Sequence, residues 1–498
     1  MQRTNQNTGV ADSRFPAQVR RVVSWAAHGY DPRALWLQHV LVALAIAGAV
    51  TLAGPLEALA LFAGAALCAL LLFGPSRLIL SVFIVYMVAS HQYISVMSFP
   101  FAGVEWHPRE LLFFLLLAHA GVKLLQAKVA LYPIPMNLAM LSYAAFFLLI
   151  LLVGLLHRHD TAKIIAEVRF GIFVACYFIL VSLLNDKKDV WFIFRVLTVL
   201  TLCIALAGLC FVAFAMATGN RYQLFQTMVG EVMTPAIGPV TVQIIRPNGH
   251  MYFEIGLVIA CAYLVSPCIS LIQRANCLFI ILVLGAAILA TYMRTAYVTV
   301  FVSLMVLAFL HLPSKRLAVV TALVGIMGGV MVLALFGAGF HEQIAAVAPG
   351  LDLSLKGRLV EISGAWRTFL EHPVFGSGMG STFEGLGLVQ SGDQLAAGVA
   401  SYQFVHNVWM YYLFKGGIFG LALVLFAAFG MLFRGYYLID VSADAREKAM
   451  LRGLTAALAG QFVAALAMPR LTYPNGHVML ALLCWAIAVF GHAGSVAA

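Results

Sequence analysis

From residue 34 onward the chain reads as apolar runs separated by short polar breaks. A helix that crosses a bilayer needs about 20 apolar residues. Runs approaching that length fall near 34–53, 56–73, 78–97, 110–125, 137–156, 168–184, 190–217, 252–272, 277–293, 295–312, 317–338, 407–433, 453–468 and 475–492. Some are short, and the two between 277 and 312 are divided only by Arg294. The pattern predicts an all-α polytopic membrane protein with about 12–14 transmembrane helices. Two stretches break the rhythm, one near 218–251 and a longer one near 339–406, and loops this long are usually functional. The expected organisation is a tail (1–33), an N-terminal transmembrane bundle (34–217), a transmembrane region with arginine-bearing loops (218–338), a large loop (339–406) and C-terminal transmembrane helices (407–498).

Inside the large loop, residues 357–372 have helical periodicity, with Leu359, Ile362, Trp366, Phe369 and Leu370 on one face. Arg358 and Glu361 are spaced to pair at i, i+3. Arg367 falls on the side opposite Arg358. Pro373 ends the helix. Glycines 376, 378 and 380 then predict a tight turn; with no strand before them they are not a dinucleotide fingerprint.

Composition confirms the solvent. Hydrophobic residues make up 63% of the 498 and charged residues 10%, against roughly 25% charged in soluble domains. A water-soluble enzyme, a disordered chain and a fibrous protein are excluded. The net charge of +10 would suggest nucleic acid in a soluble protein. Here, with the N-terminus inside, every inner loop carries a Lys or Arg and the outer side is close to neutral. The surplus is therefore a positive-inside signal, both termini are expected to be cytoplasmic, and no nucleic-acid partner is expected. Residues 14–26 suit either a basic amphipathic helix on the inner leaflet or an unstructured tail. The eight cysteines form no CxxC and lie mostly in apolar runs, as small core hydrophobes do.

Few ionisable groups interrupt the apolar runs: His39, His91, His119, Arg195 and Lys415. A transporter would place such groups along a midplane path, often with detectable repeats, and neither is seen. The polar chemistry gathers at the predicted outer surface, at Arg246, Arg294, Arg358 and His406. Guanidinium binds phosphate oxygens bidentately, so these arginines suit a lipid-linked pyrophosphate. No DxD or paired-carboxylate motif accompanies them, so neither a divalent metal nor any other cofactor is expected. His406 suits a general base that takes a proton from an attacking hydroxyl. Asn407, Trp409, Tyr411 and Tyr412 follow it and offer a sugar site.

Each residue also has a plainer reading. An arginine at a helix end most often snorkels as an interfacial anchor, which is the reading for Arg294 taken alone, Arg195 and Lys415. Arg470 fits either role. Trp409 and the tyrosines fit an interfacial aromatic belt. His406 is one of several outer histidines, with His107, His157, His159, His250, His341, His372 and His477.

Four stretches, in order, resemble the O-antigen ligase and O-antigen polymerase superfamily of bacterial membrane glycosyltransferases: IRPNGHMYFEIG (245–256), TYMRTAYVTVFVSL (291–304), GRLVEISGAWRTFLEHPVFGSGMGSTF (357–383) and HNVWMYYLFKGGIFGLALVL (406–425). The resemblance covers about residues 230–425. It implies an all-helical fold with a large periplasmic loop, and inverting, metal-independent transfer of a glycan from an undecaprenyl-diphosphate-linked donor to a glycan acceptor. It assigns Arg246, Arg294 and Arg358 to the diphosphate and His406 to catalysis. Read from the residues themselves, Glu254, Asn407, Trp409, Tyr411, Arg367 and Arg470 are further substrate-binding candidates. The implied location is the bacterial inner membrane with a periplasmic active site, and a chain-length regulator is a possible partner.

The chain departs from the family pattern at Phe253, Glu254 and Met293. Glu254 has an expected partner in Arg246. Length and span number favour a polymerase of O-antigen or exopolysaccharide over a ligase. Other classes remain: a lipid-linked sugar flippase, a metal-dependent glycosyltransferase, and a peptidoglycan-elongation polymerase using Asp352, Glu361 or Asp393 as its acid.

Overall fold

A computed structural model of the chain describes residues 72, 74–89, 99–101, 104–126, 136–218, 230–233, 236–237, 240–241, 244–247, 249–267, 269–291, 293–311, 349–391, 394–466 and 468–495. The expected spans 34–53 and 317–338, and all but Leu72 of 56–73, lie outside these residues, as do the N-terminal tail and His39, His91 and His341. The chain divides into two compact units, residues 1–80 with 111–132, and residues 81–110 with 133–498.

Helices α1 (Ser76–Ala89) and α2 (Pro108–Leu125) come first, with the short strands β1 (Phe99–Phe101) and β2 (Val104–Trp106) between them. In the first unit His119 is fully buried. Its Nδ1–H donates to the Leu72 carbonyl (2.8 Å), which leaves Nε2 to accept from the Ser76 hydroxyl (3.0 Å). This apolar-run histidine is a satisfied core residue.

The second unit contains α3 (Met136–Leu156), α4 (Thr161–Gly171), α5 (Cys176–Leu183), α6 (Lys187–Thr218), strands β3 (Gly230–Met233), β4 (Ala236–Ile237), β5 (Val240–Thr241) and β6 (Ile244–Pro247), and then α7 (His250–Leu264), α8 (Leu271–Ala290) and α9 (Arg294–His311). It continues with α10 (Pro349–Glu371), the hairpin of β7 (Phe383–Ser391) and β8 (Gln394–Tyr402), α11 (Val408–Val441), α12 (Ala445–Ala464) and α13 (Pro474–Ser495). Six helical stretches among the described residues are long and apolar enough to cross a membrane: 136–156, 161–183, 187–214, 271–290, 408–441 and 474–491. The strands are short two-stranded ladders, β1–β2, β3–β6, β4–β5 and β7–β8. The architecture is all-α, as the apolar pattern predicts.

Local chemistry sets the helix starts. Ser270 and Gln273 form a reciprocal capping box on α8, and Asp160 and Asp444 cap α4 and α12. Each satisfies amides that the first helical turn leaves open. On α3, Met140, Tyr143, Phe146 and Ile150 are buried, while Leu138, Leu141, Leu148, Leu152 and Leu155 are exposed. That is one packed face and one face suited to lipid. Helix α13 is buried from Val478 to Phe490, so it is a central helix, apolar on every side. Its Trp485 indole donates to the Leu184 carbonyl (2.7 Å). Around it α12 packs closely because its contacts are small: Gly460 lies on Ser303 and Thr299 of α9, and Gly435 of α11 lies on Thr455.

Loop contacts separate the two ends of this unit. At one end Lys187 pairs with Glu447 (2.6 Å) and the Tyr263 hydroxyl donates to the Arg446 carbonyl (3.2 Å). These loops were all expected on the inner side. At the other end, loops expected on the outer side meet: the His159 ring donates to the Ser377 carbonyl (2.8 Å), and the Tyr252 hydroxyl donates to the Asn475 carbonyl (3.4 Å).

The large loop is more built than its sequence suggests. Helix α10 starts at Pro349 and ends at Glu371, just before Pro373. Its buried face carries Ala365 and Phe369, with Arg358, Glu361 and Ile362 half-buried on the same side. Trp366 and Leu370, expected with the apolar face, are instead exposed. The reason is the β7–β8 hairpin, which the alternation did not reveal: Gly364 lies against the Glu384 carbonyl, and this contact fixes the helix rotation.

Candidate active site

The turn after α10 and a break in α11 are made for each other. Helix α11 is interrupted at Gly417, whose φ of 64° and ψ of −163° are non-helical and favour glycine. The break frees carbonyls and amides that the turn takes up. Ser377 and Gly378 amides donate to the Phe414 and Lys415 carbonyls (3.0 and 2.9 Å), and the Ile418 and Phe419 amides donate to Pro373 and Val374 (2.9 and 3.1 Å). The Met379 amide donates to Ile150 of α3 (2.7 Å). Gly378, at φ 80°, lies directly on the Gly154 backbone, where any Cβ would clash. The glycine-rich turn therefore locks the large loop to two helices of the bundle.

Lys415 reinforces this lock. Its ammonium is fully buried and binds the Glu167 carboxylate of α4 (2.6 Å) and the Ser381 carbonyl (2.8 Å), 4.9 Å from the Phe414 ring centre. The expected snorkelling anchor is thus a buried ion pair, because Glu167 waits on a helix far away in sequence. Arg195, by contrast, is exposed, as an anchor would be.

His406 lies just ahead of α11, nine residues before Lys415. Its Nδ1–H donates to Glu361 Oε2 at 2.7 Å, and its backbone amide donates to the same oxygen at 3.1 Å. Two donors from one residue fix the imidazole plane against α10. The Nδ1–H bond sets the tautomer and leaves Nε2 with its lone pair free. The histidine side chain is 49% exposed and the Glu361 side chain 12%. Arg358, one turn before Glu361, was expected to pair with it. The carboxylate is instead held by His406, and the half-buried Arg358 has no partner among the described residues. Arg367 is exposed.

The other expected site residues take varied positions. Asn407 is the N-cap of α11, its side-chain oxygen accepting from the Met410 amide (2.9 Å). Trp409 donates its indole N–H to the Phe462 carbonyl (3.2 Å). Tyr411 and Tyr412 are buried, so neither has an open ring face for a sugar. The Tyr412 and Tyr143 hydroxyls share a hydrogen bond (2.8 Å), and both approach the Leu471 carbonyl. Glu254 pairs with Arg470 rather than with its expected partner Arg246: the guanidinium spans both carboxylate oxygens (2.6 and 2.8 Å), and the Gln461 amide adds a third bond (2.9 Å). Both residues are buried. The pair pins the 470–472 turn, which dips into the bundle, to α7. Arg246 lies in β6 opposite Glu231 of β3, and Arg294 is the first residue of α9.

A second histidine group flanks the turn. His157 and His159 both donate to the Ser377 carbonyl (3.3 and 2.8 Å), and the His372 ring lies 4.8 Å from that of His157. Burial holds His159 below the usual imidazole pKa, outweighing its bond to Ser377, and the nearby charges of His157, Lys415 and His372 act in the same direction. A groove of about 290 Å³ opens beside His157 and His372, walled by Val153, Leu156, Val374 and Phe375.

Fold and site together define a multi-pass helical membrane protein whose polar chemistry is held where a large loop docks on the bundle. Residues 278–425 match the family model described as O-antigen ligase, which supports the resemblance to the O-antigen ligase and polymerase superfamily. The match includes Arg294, α10, the glycine turn, His406 and the α11 break. It leaves out Arg246, Glu167, Glu254 and Arg470. A comparison with curated proteins finds no match.

Proposed function

We propose that the protein is an inverting glycosyltransferase that takes glycan from a polyprenyl-diphosphate-linked donor, undecaprenyl diphosphate in bacteria, at the periplasmic face of the inner membrane, with both termini cytoplasmic. The observation that carries the reading is the His406–Glu361 pair, held by two hydrogen bonds with Arg358 one helical turn away. Glu361 holds Nδ1–H, so Nε2 faces the acceptor. As the acceptor oxygen attacks the anomeric carbon, Nε2 takes its proton, and the bond from that carbon to the diphosphate oxygen breaks with its electrons leaving on the diphosphate. Glu361 stabilises the imidazolium that forms. Arg358, with Arg246 and Arg294, neutralises the charge on the leaving group. No step in this scheme calls on a metal.

Chain length and span number favour a polymerase, for which the acceptor is a second lipid-linked repeat unit. The family description favours the ligase reading, for which the acceptor is lipid A-core or protein. Purified protein given lipid-linked repeat unit alone separates them: a polymerase makes longer glycan, a ligase does not. In cells, His406→Ala and Arg358→Ala abolish long polysaccharide while the protein still inserts. Wild-type polymer from both variants contradicts the site assignment.

A further inference from the structure

Three aromatic rings from three separate elements converge beside the His406–Glu361 pair. Phe170 lies at the end of α4, Phe404 two residues before His406, and Tyr473 just before α13. Their centroids form a triangle with sides of 5.7, 5.9 and 6.2 Å. Tyr411 stacks behind Phe404 at 5.8 Å and 11° and supports it from the core. Tyr473 is 39% exposed, whereas the aromatics expected to meet sugar, Tyr411 and Tyr412, are sealed inside. Burial, and then the charge of Glu361, raise the Tyr473 phenol above its ordinary pKa, which places the ring within electrostatic reach of the carboxylate that holds His406.

The triangle has a charged edge. The Arg109 guanidinium lies over Phe170, 5.8 Å from its centre. Glu110 takes only the inner nitrogen of Arg109, at 3.5 Å, because its two oxygens are each held at 3.0 Å by Arg169. The terminal nitrogens of Arg109, 26% exposed as a side chain, and the Tyr473 hydroxyl have no partner among the described residues. An interfacial belt places aromatics singly around a bundle. Here they cluster, with free donors at their margin, next to a candidate general base.

That combination suits one kind of ligand. A pyranose ring has an apolar face of C–H groups, which rests on the electron-rich face of an aromatic ring, and a rim of hydroxyls that needs donors and acceptors. We propose that Phe170, Phe404 and Tyr473, edged by Arg109, form the subsite that stacks the terminal sugar of the acceptor glycan and presents its hydroxyl to His406. The proposal rests on the glycosyltransferase reading above and adds where the acceptor sits.

The test uses full-length protein in nanodiscs and, as probe, oligosaccharide released by mild acid from the host's own surface polysaccharide, carrying neither lipid nor diphosphate. Binding is followed by saturation-transfer NMR. Wild type and His406→Ala bind the probe, Tyr473→Ala binds it about tenfold more weakly, and Tyr473→Phe, which keeps the ring and loses only the hydroxyl, falls between wild type and Tyr473→Ala. In turnover, Tyr473→Ala raises the acceptor KM and leaves the donor KM unchanged. Unchanged probe affinity in Tyr473→Ala and Phe170→Ala overturns the proposal, as does absence of wild-type binding at acceptor concentrations that sustain transfer. A Tyr473→Ala protein with lower folded yield but wild-type affinity per folded molecule also overturns it. Full transfer by His406→Ala would instead sink the catalytic reading, and the binding result would stand by itself.

Discussion

Two acid–base pairs bracket the first turns of α11. His406 meets Glu361 at 2.7 Å, and Lys415 meets Glu167 at 2.6 Å. The contacts are alike in length, and each joins α11 or its cap to a distant helix. Their surroundings differ. The Lys415 and Glu167 side chains are 0% and 1% exposed, those of His406 and Glu361 49% and 12%. A pair sealed from water carries a large desolvation cost and tolerates no loss of either partner. A pair open on one side leaves part of the imidazole in reach of solvent. The same interaction type thus fastens the loop in the interior at Lys415 and leaves a half-exposed imidazole at His406.

The strongest way to break the comparison is at the open pair. His406→Ala lowers transfer by about 10²–10⁴-fold and leaves the melting temperature near wild type, measured on purified protein with lipid-linked donor. At the sealed pair the effect reverses. Lys415→Met destabilises the fold by about 3–5 kcal/mol, because Glu167 is left charged and buried; thermal unfolding in detergent measures it. Adding Glu167→Leu to that variant restores most of the loss, and no recovery would mean that the pair does not act as a unit.

A smaller effect sharpens the division of labour within the open pair. Glu361→Gln can still accept the Nδ1 hydrogen bond but lacks the charge that favours imidazolium, so transfer falls by about 10–100-fold with donor binding intact. The smallest effect concerns the histidine that holds the turn. Folding lowers the His159 pKa, so the unfolded chain binds its proton first as pH falls. The stability His159 confers is complete above about pH 6.5 and declines below it. His159→Gln therefore flattens the decline of melting temperature on acidification, and an unchanged pH profile removes His159 from the account.

Much of the fold was legible because apolar runs must be helices in lipid. The run 137–156 became α3 at Met136–Leu156, and 190–217 became α6 at Lys187–Thr218. The hairpin was hidden because its strands are rich in Gly and Ala with little alternation to read. His406 and Arg358 stood out because their chemistry is conspicuous alone, and the structure places His406 against the loop helix that carries Arg358. Pairings were not legible. Glu361 is 45 positions from His406, Glu254 is 216 from Arg470, and Glu167 is 248 from Lys415. Nearness along the chain paired Glu361 with Arg358, three positions away, and Glu254 with Arg246, eight positions away, and the helix-end rule read Lys415 as an anchor. The aromatic cluster around Phe170 was missed for the same reason, since its rings come from three elements.

The central claim is that the exposed histidine, oriented by Glu361, activates the acceptor. The most direct measurement is release of polyprenyl diphosphate from a purified lipid-linked repeat unit, in nanodiscs, by wild type and by His406→Ala, with and without acceptor. The account predicts acceptor-dependent release by wild type and background release by the variant, which still binds donor. Release by His406→Ala at the wild-type rate would contradict it.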